Sequence, residues 1–157
     1  MLLKGLTDED FVNYYIPSMF LIFPVCTFKC EKECGQKCCQ NSSLAQADAV
    51  DYPVKELVRR YIENPISRAV VCGGLEPFDS FEDLNEFISE FRKYSSDDIV
   101  IYTGYEKEEV RSFVEMLKPY HNIVIKFGRF RPDRNKVHSI LLGVDLASDN
   151  QYAERIS

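Results

Sequence analysis

The segment Ser18–Pro24 has the sequence S-M-F-L-I-F-P, and the cysteine-rich segment Pro24–Leu44, P-V-C-T-F-K-C-E-K-E-C-G-Q-K-C-C-Q-N-S-S-L, follows it directly. An almost continuous apolar run of this length is typical of a strand buried on both faces of a parallel sheet. Five of the six cysteines of the chain lie between Cys26 and Cys39. So many thiols in one loop indicate either a metal site or a set of disulfides.

Apolar runs and amphipathic stretches alternate along the rest of the chain with short connections, which predicts an α/β fold with a mainly parallel sheet and right-handed crossovers. Asp51 and Ser80 precede the first two amphipathic stretches and are predicted to cap their helices. No structure is predicted for Asp8–Tyr15. Near the C-terminus, the apolar residues of Ile140–Val144 predict a last short strand. Further strands are predicted at Ala69–Cys72, Asp98–Tyr102 and Asn122–Phe127, and helices at Val54–Ile62, Phe81–Phe91 and Glu106–Leu117.

Size and composition indicate one globular domain, residues 1–157, with a net charge of −6. An acidic chain without a clustered basic face is not expected to bind nucleic acid. The apolar run Ile16–Val25 is too short to cross a bilayer, and no targeting pattern is visible at the N-terminus, so no membrane association is expected. We therefore expect a cytoplasmic protein. Thiols stay reduced in that compartment, which favours metal ligation over disulfides.

Three loops are expected to meet at one edge of the sheet, because ligands of α/β sheets bind at the carboxyl ends of the strands. They are the cysteine loop after the first strand, Gly73–Pro77 (G-G-L-E-P) after the second, and Tyr102–Tyr105 (Y-T-G-Y) after the third. A glycine pair lets the backbone approach a ligand, although tight turns also use glycine for steric reasons alone.

The donor chemistry of the loop restricts the metal to zinc or an iron–sulfur cluster, since all its candidate ligands are thiolates. Structural zinc usually takes two C-x2-C pairs. Here Cys26 and Cys30 are separated by three residues, and no C-x2-C pair exists elsewhere in the chain. A zinc site from four of the five cysteines stays open at this point. Cys72 lies inside a predicted strand and is expected to be a small core residue.

The C-x3-C spacing in a loop after the first strand, followed by G-G-x-E-P after the second, resembles the radical S-adenosylmethionine (SAM) superfamily. Within it the chain is most similar to the activating proteins of anaerobic (class III) ribonucleotide reductase. Its length, the Tyr102–Tyr105 turn and the late Ser148–Gln151 segment (S-D-N-Q) extend this likeness along most of the chain. The resemblance implies a compact partial (β/α) barrel, with a mainly parallel sheet and helices on the outside.

The resemblance also implies the site. Three cysteines would hold a [4Fe-4S] cluster in a C-x3-C-x2-C pattern, which this chain departs from by an enlarged second spacer. Cys34 or Cys38 could therefore replace the last of the three, and the inserted Leu75 puts the placement of the following glutamate in question. No catalytic residue is implied beyond the cluster and SAM. The implied cluster ligands are Cys26, Cys30 and Cys39, and the implied SAM-site residues are Asn41, Gly73, Gly74, Glu76, Tyr102 and Thr103.

The activity implied by the resemblance is reductive cleavage of SAM to a 5′-deoxyadenosyl radical, which then creates a glycyl radical on the large catalytic subunit of an anaerobic ribonucleotide reductase. A reductant such as flavodoxin or ferredoxin would supply the electron. One alternative is a radical SAM enzyme acting on a small molecule, like the 7-carboxy-7-deazaguanine synthases, which the short chain disfavours. Another is a non-catalytic zinc or iron–sulfur module that recognises a protein.

Overall fold

A computed structural model describes residues 1–157 of the chain. Two short 3-10 turns, Ser42–Gln46 and Pro77–Ser80, accompany four helices and ten strands. The helices are α1 (Lys29–Cys34), α2 (Val54–Glu63), α3 (Phe81–Phe91) and α4 (Arg111–Leu117). The strands are β1 (Leu2–Leu3), β2 (Gly5–Asp10), β3 (Ser18–Phe23), β4 (Val50–Asp51), β5 (Ala69–Gly74), β6 (Asp98–Tyr102), β7 (Ile123–Phe127), β8 (Val137–Ser139), β9 (Val144–Leu146) and β10 (Tyr152–Arg155).

The central sheet has six strands in the order β2-β3-β5-β6-β7-β10. The four inner strands are parallel, and each pairs with the next one along this order. The outer strands β2 and β10 run antiparallel to their neighbours. The fold is therefore mixed α/β with a mainly parallel sheet, whereas the partial barrel stays a prediction.

Two apolar clusters cover the two faces of the sheet, because successive side chains of a strand point to opposite sides. On one face Val70 and Cys72 of β5 pack in a large cluster with the apolar stripes of α2, α3 and α4. On the other face Ala69 and Val71 lie in a smaller cluster with Leu142 beside the β8–β9 hairpin. Cys72 is fully buried, as expected of a core residue.

Both ends of the chain add strands that the periodicity did not reveal. The segment Gly5–Asp10 forms the edge strand β2, and β10 completes the opposite edge. The prediction of a strand at Ile140–Val144 is wrong. Those residues mostly form the turn between β8 and β9, where Ile140 is 92% exposed. No helix of the structure is long and apolar enough to cross a bilayer.

The helix starts also differ from the predictions, either in the capping residue or in the first residue of the helix. Neither Asp51 nor Ser80 caps a helix: Asp51 lies in β4 and binds the N-terminal ammonium group, and Ser80 makes no capping bond. Helix α4 begins at Arg111 rather than at Glu106. The Glu109 carboxylate accepts a hydrogen bond from the Glu106 N–H at 2.8 Å, which holds the preceding residues in turns.

Candidate functional site

A cleft of about 510 Å³ lies at the carboxyl ends of the inner strands, between the cysteine loop and the loops that follow β5, β6 and β7. Its lining includes every residue for which the sequence implied a role in the site. Cys34 and Cys38, the alternative third ligands, are not among the lining residues. The implied residues that line the cleft are Cys26, Cys30, Cys39, Asn41, Gly73, Gly74, Glu76, Tyr102 and Thr103.

The cysteine loop follows β3 without being packed into the protein. Phe28 adopts a left-handed conformation (φ 51°), and its N–H donates to the Cys26 Sγ over 3.2 Å. Helix α1 then begins and ends within six residues, and none of them is buried. Gly35 closes the helix with φ 68°. The thiols of the loop therefore lie on a segment that makes few packing contacts with the rest of the protein.

The three cleft thiols form a soft donor set of the kind that iron–sulfur clusters and zinc use. Burial raises the pKa of Cys26 to about 12, against the opposing effect of the Phe28 N–H. Burial and the neighbouring Cys39 also raise the pKa of Cys30. Because the thiolate is the ligand, metal binding must release protons from these groups. Nowhere in the structure do three Cys, His, Asp or Glu side chains converge at metal-ligand distances.

Two hydrogen bonds fasten the cysteine loop to the loop after β5. At its start, the Val25 carbonyl accepts the Glu76 N–H at 2.8 Å. At its end, the Asn41 side-chain amide donates to the Gly74 carbonyl at 2.8 Å. Asn41 lies two residues after Cys39, so this bond constrains the position of Cys39 relative to the glycine pair.

The glycine pair is explained by packing against β3. A Cβ on Gly74, whose φ is +84°, would lie 2.5 Å from the Ile22 Cγ2 atom. A Cβ on Gly73 would lie 3.0 Å from the Phe20 ring. Both separations are too short for a carbon atom without a shift of its neighbour. The steric role, which the sequence left open beside a ligand-binding role, is therefore real at both positions.

Glu76 links the loops after β5 and β6 from inside the protein. Only 5% of the residue is exposed. Its carboxylate accepts hydrogen bonds from the Thr103 hydroxyl (2.8 Å), the Gly104 N–H (2.8 Å) and the Phe78 N–H (3.1 Å). Burial raises the pKa of Glu76 to about 7, and these donors oppose that rise. With Leu75 before it, Glu76 points into the base of the loops and positions Thr103.

The two tyrosines of the third loop are anchored by their hydroxyl groups. The Tyr102 hydroxyl donates to the Asn13 carbonyl at 2.5 Å, while the residue borders the cleft. The Tyr105 hydroxyl donates to the Asp79 carboxylate at 2.6 Å and lies 3.2 Å from the Thr27 hydroxyl. Tyr105 therefore connects the cysteine loop with the loops after β5 and β6.

A buried cation in the cleft was missed by the sequence reasoning. Lys126 of β7 is only 6% exposed and lines the cleft. Its ammonium group donates to the carbonyls of Gly128 (2.8 Å) and Thr103 (3.4 Å), and it forms no ion pair. Burial lowers its pKa to about 8. A lysine within the apolar run I-V-I-K-F was the available signal, since lysine is rarely buried without a role.

A second buried cation, Arg129, connects α1 to the body of the protein. It is 4% exposed and lines the cleft. Its guanidinium lies 2.6 Å from the Glu109 carboxylate and 3.2 Å from the Glu33 carboxylate. Arg129 holds the pKa of Glu109 down at about 2. Because Glu33 belongs to α1, this pairing sets the distance between the cysteine loop and the loop after β7.

Residues 18–150 match the model of a family described as a 4Fe-4S single cluster domain. The matched region includes the three cleft thiols and the loops after β5, β6 and β7. No curated protein and no solved structure matches the chain.

Proposed function

The chain belongs to the family of 4Fe-4S single cluster domains, and we propose that it is a radical SAM activase that generates a glycyl radical on a partner enzyme. The large catalytic subunit of an anaerobic ribonucleotide reductase is the proposed partner. One observation carries this proposal: the residues that the resemblance implies, from three separate loops, all line one cleft. When bound, the cluster would supply the electron that cleaves SAM.

Cys26, Cys30 and Cys39 are the proposed cluster ligands. All three border the cleft, whereas Cys34 and Cys38 lie outside it. Three protein thiolates on a four-iron cluster leave one iron for a further ligand, which in the radical SAM superfamily is SAM. The raised pKa values of Cys26 and Cys30 mean that cluster assembly must remove their protons.

The proposed SAM site uses the opposite wall of the cleft. Lys126 offers a buried ammonium group that forms no direct ion pair, although burial lowers its pKa and the nearby Glu76 and Glu106 carboxylates oppose that fall. Such a group suits the carboxylate of a methionyl moiety. Glu76 holds Thr103 and Gly104 in place by accepting their hydrogen bonds. Tyr102 borders the same space and is fixed by its bond to Asn13.

A protein partner is favoured over a small substrate by the surface beside the cleft. Val12 borders the cleft and is 73% exposed, and Phe11 next to it is 64% exposed. Tyr15, 61% exposed, donates its N–H to Leu142 in the turn that also carries the exposed Ile140. Neighbouring exposed apolar side chains of this kind mark surfaces that contact other proteins.

The decisive experiment is anaerobic reconstitution with iron and sulfide, followed by dithionite and SAM. We expect a brown protein that releases 5′-deoxyadenosine, measured by chromatography. Addition of the large reductase subunit should produce a glycyl-radical signal in electron paramagnetic resonance. A colourless protein that retains zinc would refute the proposal that the chain is a radical SAM enzyme. Release of 5′-deoxyadenosine with consumption of a small molecule, and no glycyl radical, would favour the small-molecule alternative.

Lys126→Met tests the proposed SAM site within the same assay. We expect the cluster to form normally and the concentration of SAM needed for half-maximal turnover to rise about tenfold or more, as for the loss of a buried charged contact. Lys107→Met is the matched control, because Lys107 pairs with Glu154 at the surface and does not line the cleft. Equal behaviour of the two variants would contradict the role of Lys126.

A further inference from the structure

The thiols of Cys34 and Cys38 lie against each other outside the cleft. Their Sγ atoms are 2.6 Å apart, and both residues are half-buried free cysteines. A disulfide has an S–S distance of about 2.05 Å, so a shift of about 0.5 Å separates the pair from bonding distance. The cysteine loop also holds thiol–backbone contacts and an interaction between the Cys30 and Cys39 thiols, but the Cys34–Cys38 contact is the one direct thiol–thiol contact with a measured distance.

The backbone explains why this pair meets. Cys34 is the last residue of α1, and Gly35 reverses the chain with φ +68°. The Cys34 thiol lies 3.2 Å from the Gln36 carbonyl within this turn, and the Cys38 thiol lies 3.7 Å from the Cys30 carbonyl on α1. A Cβ on Gly35 would meet no atom within 4 Å. The turn therefore has room for the small adjustment that a bond requires.

We propose that Cys34 and Cys38 form a reversible dithiol–disulfide pair that is separate from the cluster ligands and is oxidised by low-molecular-weight disulfides such as glutathione disulfide. One cysteine thiolate attacks a sulfur of the reagent and releases one reagent thiol. The second cysteine then attacks the mixed disulfide and releases the other. The protein loses two electrons and two protons, and the reagent gains them as two thiols.

Oxidation of this pair has a direct consequence for the loop. The bond would close a ring over residues 34–38 and tie the end of α1 to the residue directly before Cys39. It would also leave three free thiols in the segment, which is the number that the proposed cluster takes. This consequence rests on the proposed function, whereas the formation of the bond does not.

The first test uses the metal-free full chain. After incubation with glutathione disulfide, free thiols are alkylated and the protein is digested with trypsin. Lys32 and Lys37 separate Cys34 from the other cysteines, so the expected product is the peptide Glu33–Lys37 linked to the peptide that begins at Cys38. Cys38→Ser should abolish this product, and Cys39→Ser should leave it. A preferred bond between any other two cysteines, or no bond, would overturn the proposal.

The second test uses the reconstituted protein and separates the pair from the ligands. Alkylation should label Cys34 and Cys38 while the ligand thiols stay protected. Cys34→Ser should retain the visible absorbance of the cluster, because its thiol is not a ligand. Loss of the cluster in Cys34→Ser would overturn the proposal that the pair is separate from the cluster ligands. Failure of the wild-type chain to form any cluster would count against the proposed function alone, because the metal-free test decides the disulfide independently.

Discussion

On one side of the cleft, Leu75, Glu76 and Thr103 are buried against the ends of the strands, whereas on the other side no residue from Cys26 to Cys39 is buried. We call these the strand wall and the cysteine wall. The strand wall is fixed by steric fit at Gly74 and by the three hydrogen bonds to Glu76. The cysteine wall is attached through a few polar contacts, such as the Asn41 bond to Gly74.

This difference indicates how the two walls obtain their geometry. Buried, close-packed groups hold their positions whether or not a ligand is present, because displacing them creates voids or unpaired polar atoms. The half-buried thiols of the cysteine wall lack this packing constraint, so we expect the cluster that they are proposed to bind to fix their final arrangement. Binding energy of a metal centre then contributes directly to the order of the loop.

The largest effect should come from Cys39→Ala, which should abolish the cluster completely. Because Cys39 is only half-buried, the free energy of unfolding of the metal-free protein should change by no more than about 1 kcal/mol. Iron analysis and visible absorbance measure the first quantity, and urea denaturation measures the second. Cys34→Ala is the matched control and should keep the cluster. The reverse pattern would make Cys34 the third ligand and Cys39 dispensable.

A pair of glycine substitutions compares the two walls at similar backbone angles. Gly74→Ala should lower the free energy of unfolding by about 3 kcal/mol, because it combines a positive φ with a collision against Ile22. Gly35→Ala has a similar φ but meets no atom within 4 Å, so it should cost only about 1 kcal/mol. Urea denaturation of the metal-free variants measures both. Equal losses would show that the cysteine wall is as tightly packed as the strand wall.

Many features of the strand wall could be predicted from sequence because they follow periodicity. The apolar runs located β3, β5, β6 and β7, and the topology of parallel strands brought their following loops to one edge. The contacts across the cleft could not be predicted in this way. Lys126 stands out in the sequence only as a lysine in an apolar run, Arg129 carries no such signal, and only the folded chain buries both of them in the same cleft.

The cysteine wall shows a different limit of sequence reasoning. Thiol chemistry predicts a metal site but does not distinguish one sulfur from another, so Cys34, Cys38 and Cys39 remained alternatives. In the structure Cys39 lines the cleft, whereas Cys34 and Cys38, on either side of the turn at Gly35, do not. A single glycine with a positive φ is visible in the sequence only as a turn signal.

The strand wall should respond to pH through Glu76. Its pKa is raised from 4.5 to about 7 in the folded protein, so the folded state binds more protons than the unfolded state between these values. Stability is therefore highest below pH 4.5 with respect to this group and falls as the pH rises to about 7, by up to about 3 kcal/mol. Urea midpoints of the metal-free protein from pH 5 to 7.5 measure the fall. Glu76→Gln should flatten the curve over this range, and an unchanged slope would contradict the assignment.

The smallest effect should come from Asn41→Ala, which removes the bond between the two walls. This contact is exposed, so its loss should cost about 0.5 kcal/mol of stability. Its local effect should be larger, because the bond limits the motion of Cys39. We expect faster alkylation of Cys39 in the metal-free variant and an unchanged rate at Cys34, which lies in the middle of the enlarged spacer between Cys30 and Cys39 and is not linked to Gly74. Equal acceleration at both thiols would mean that the whole cysteine wall loosens as one unit. No acceleration at either thiol would mean that other contacts, such as the pairing of Arg129 with Glu33, hold the two walls together.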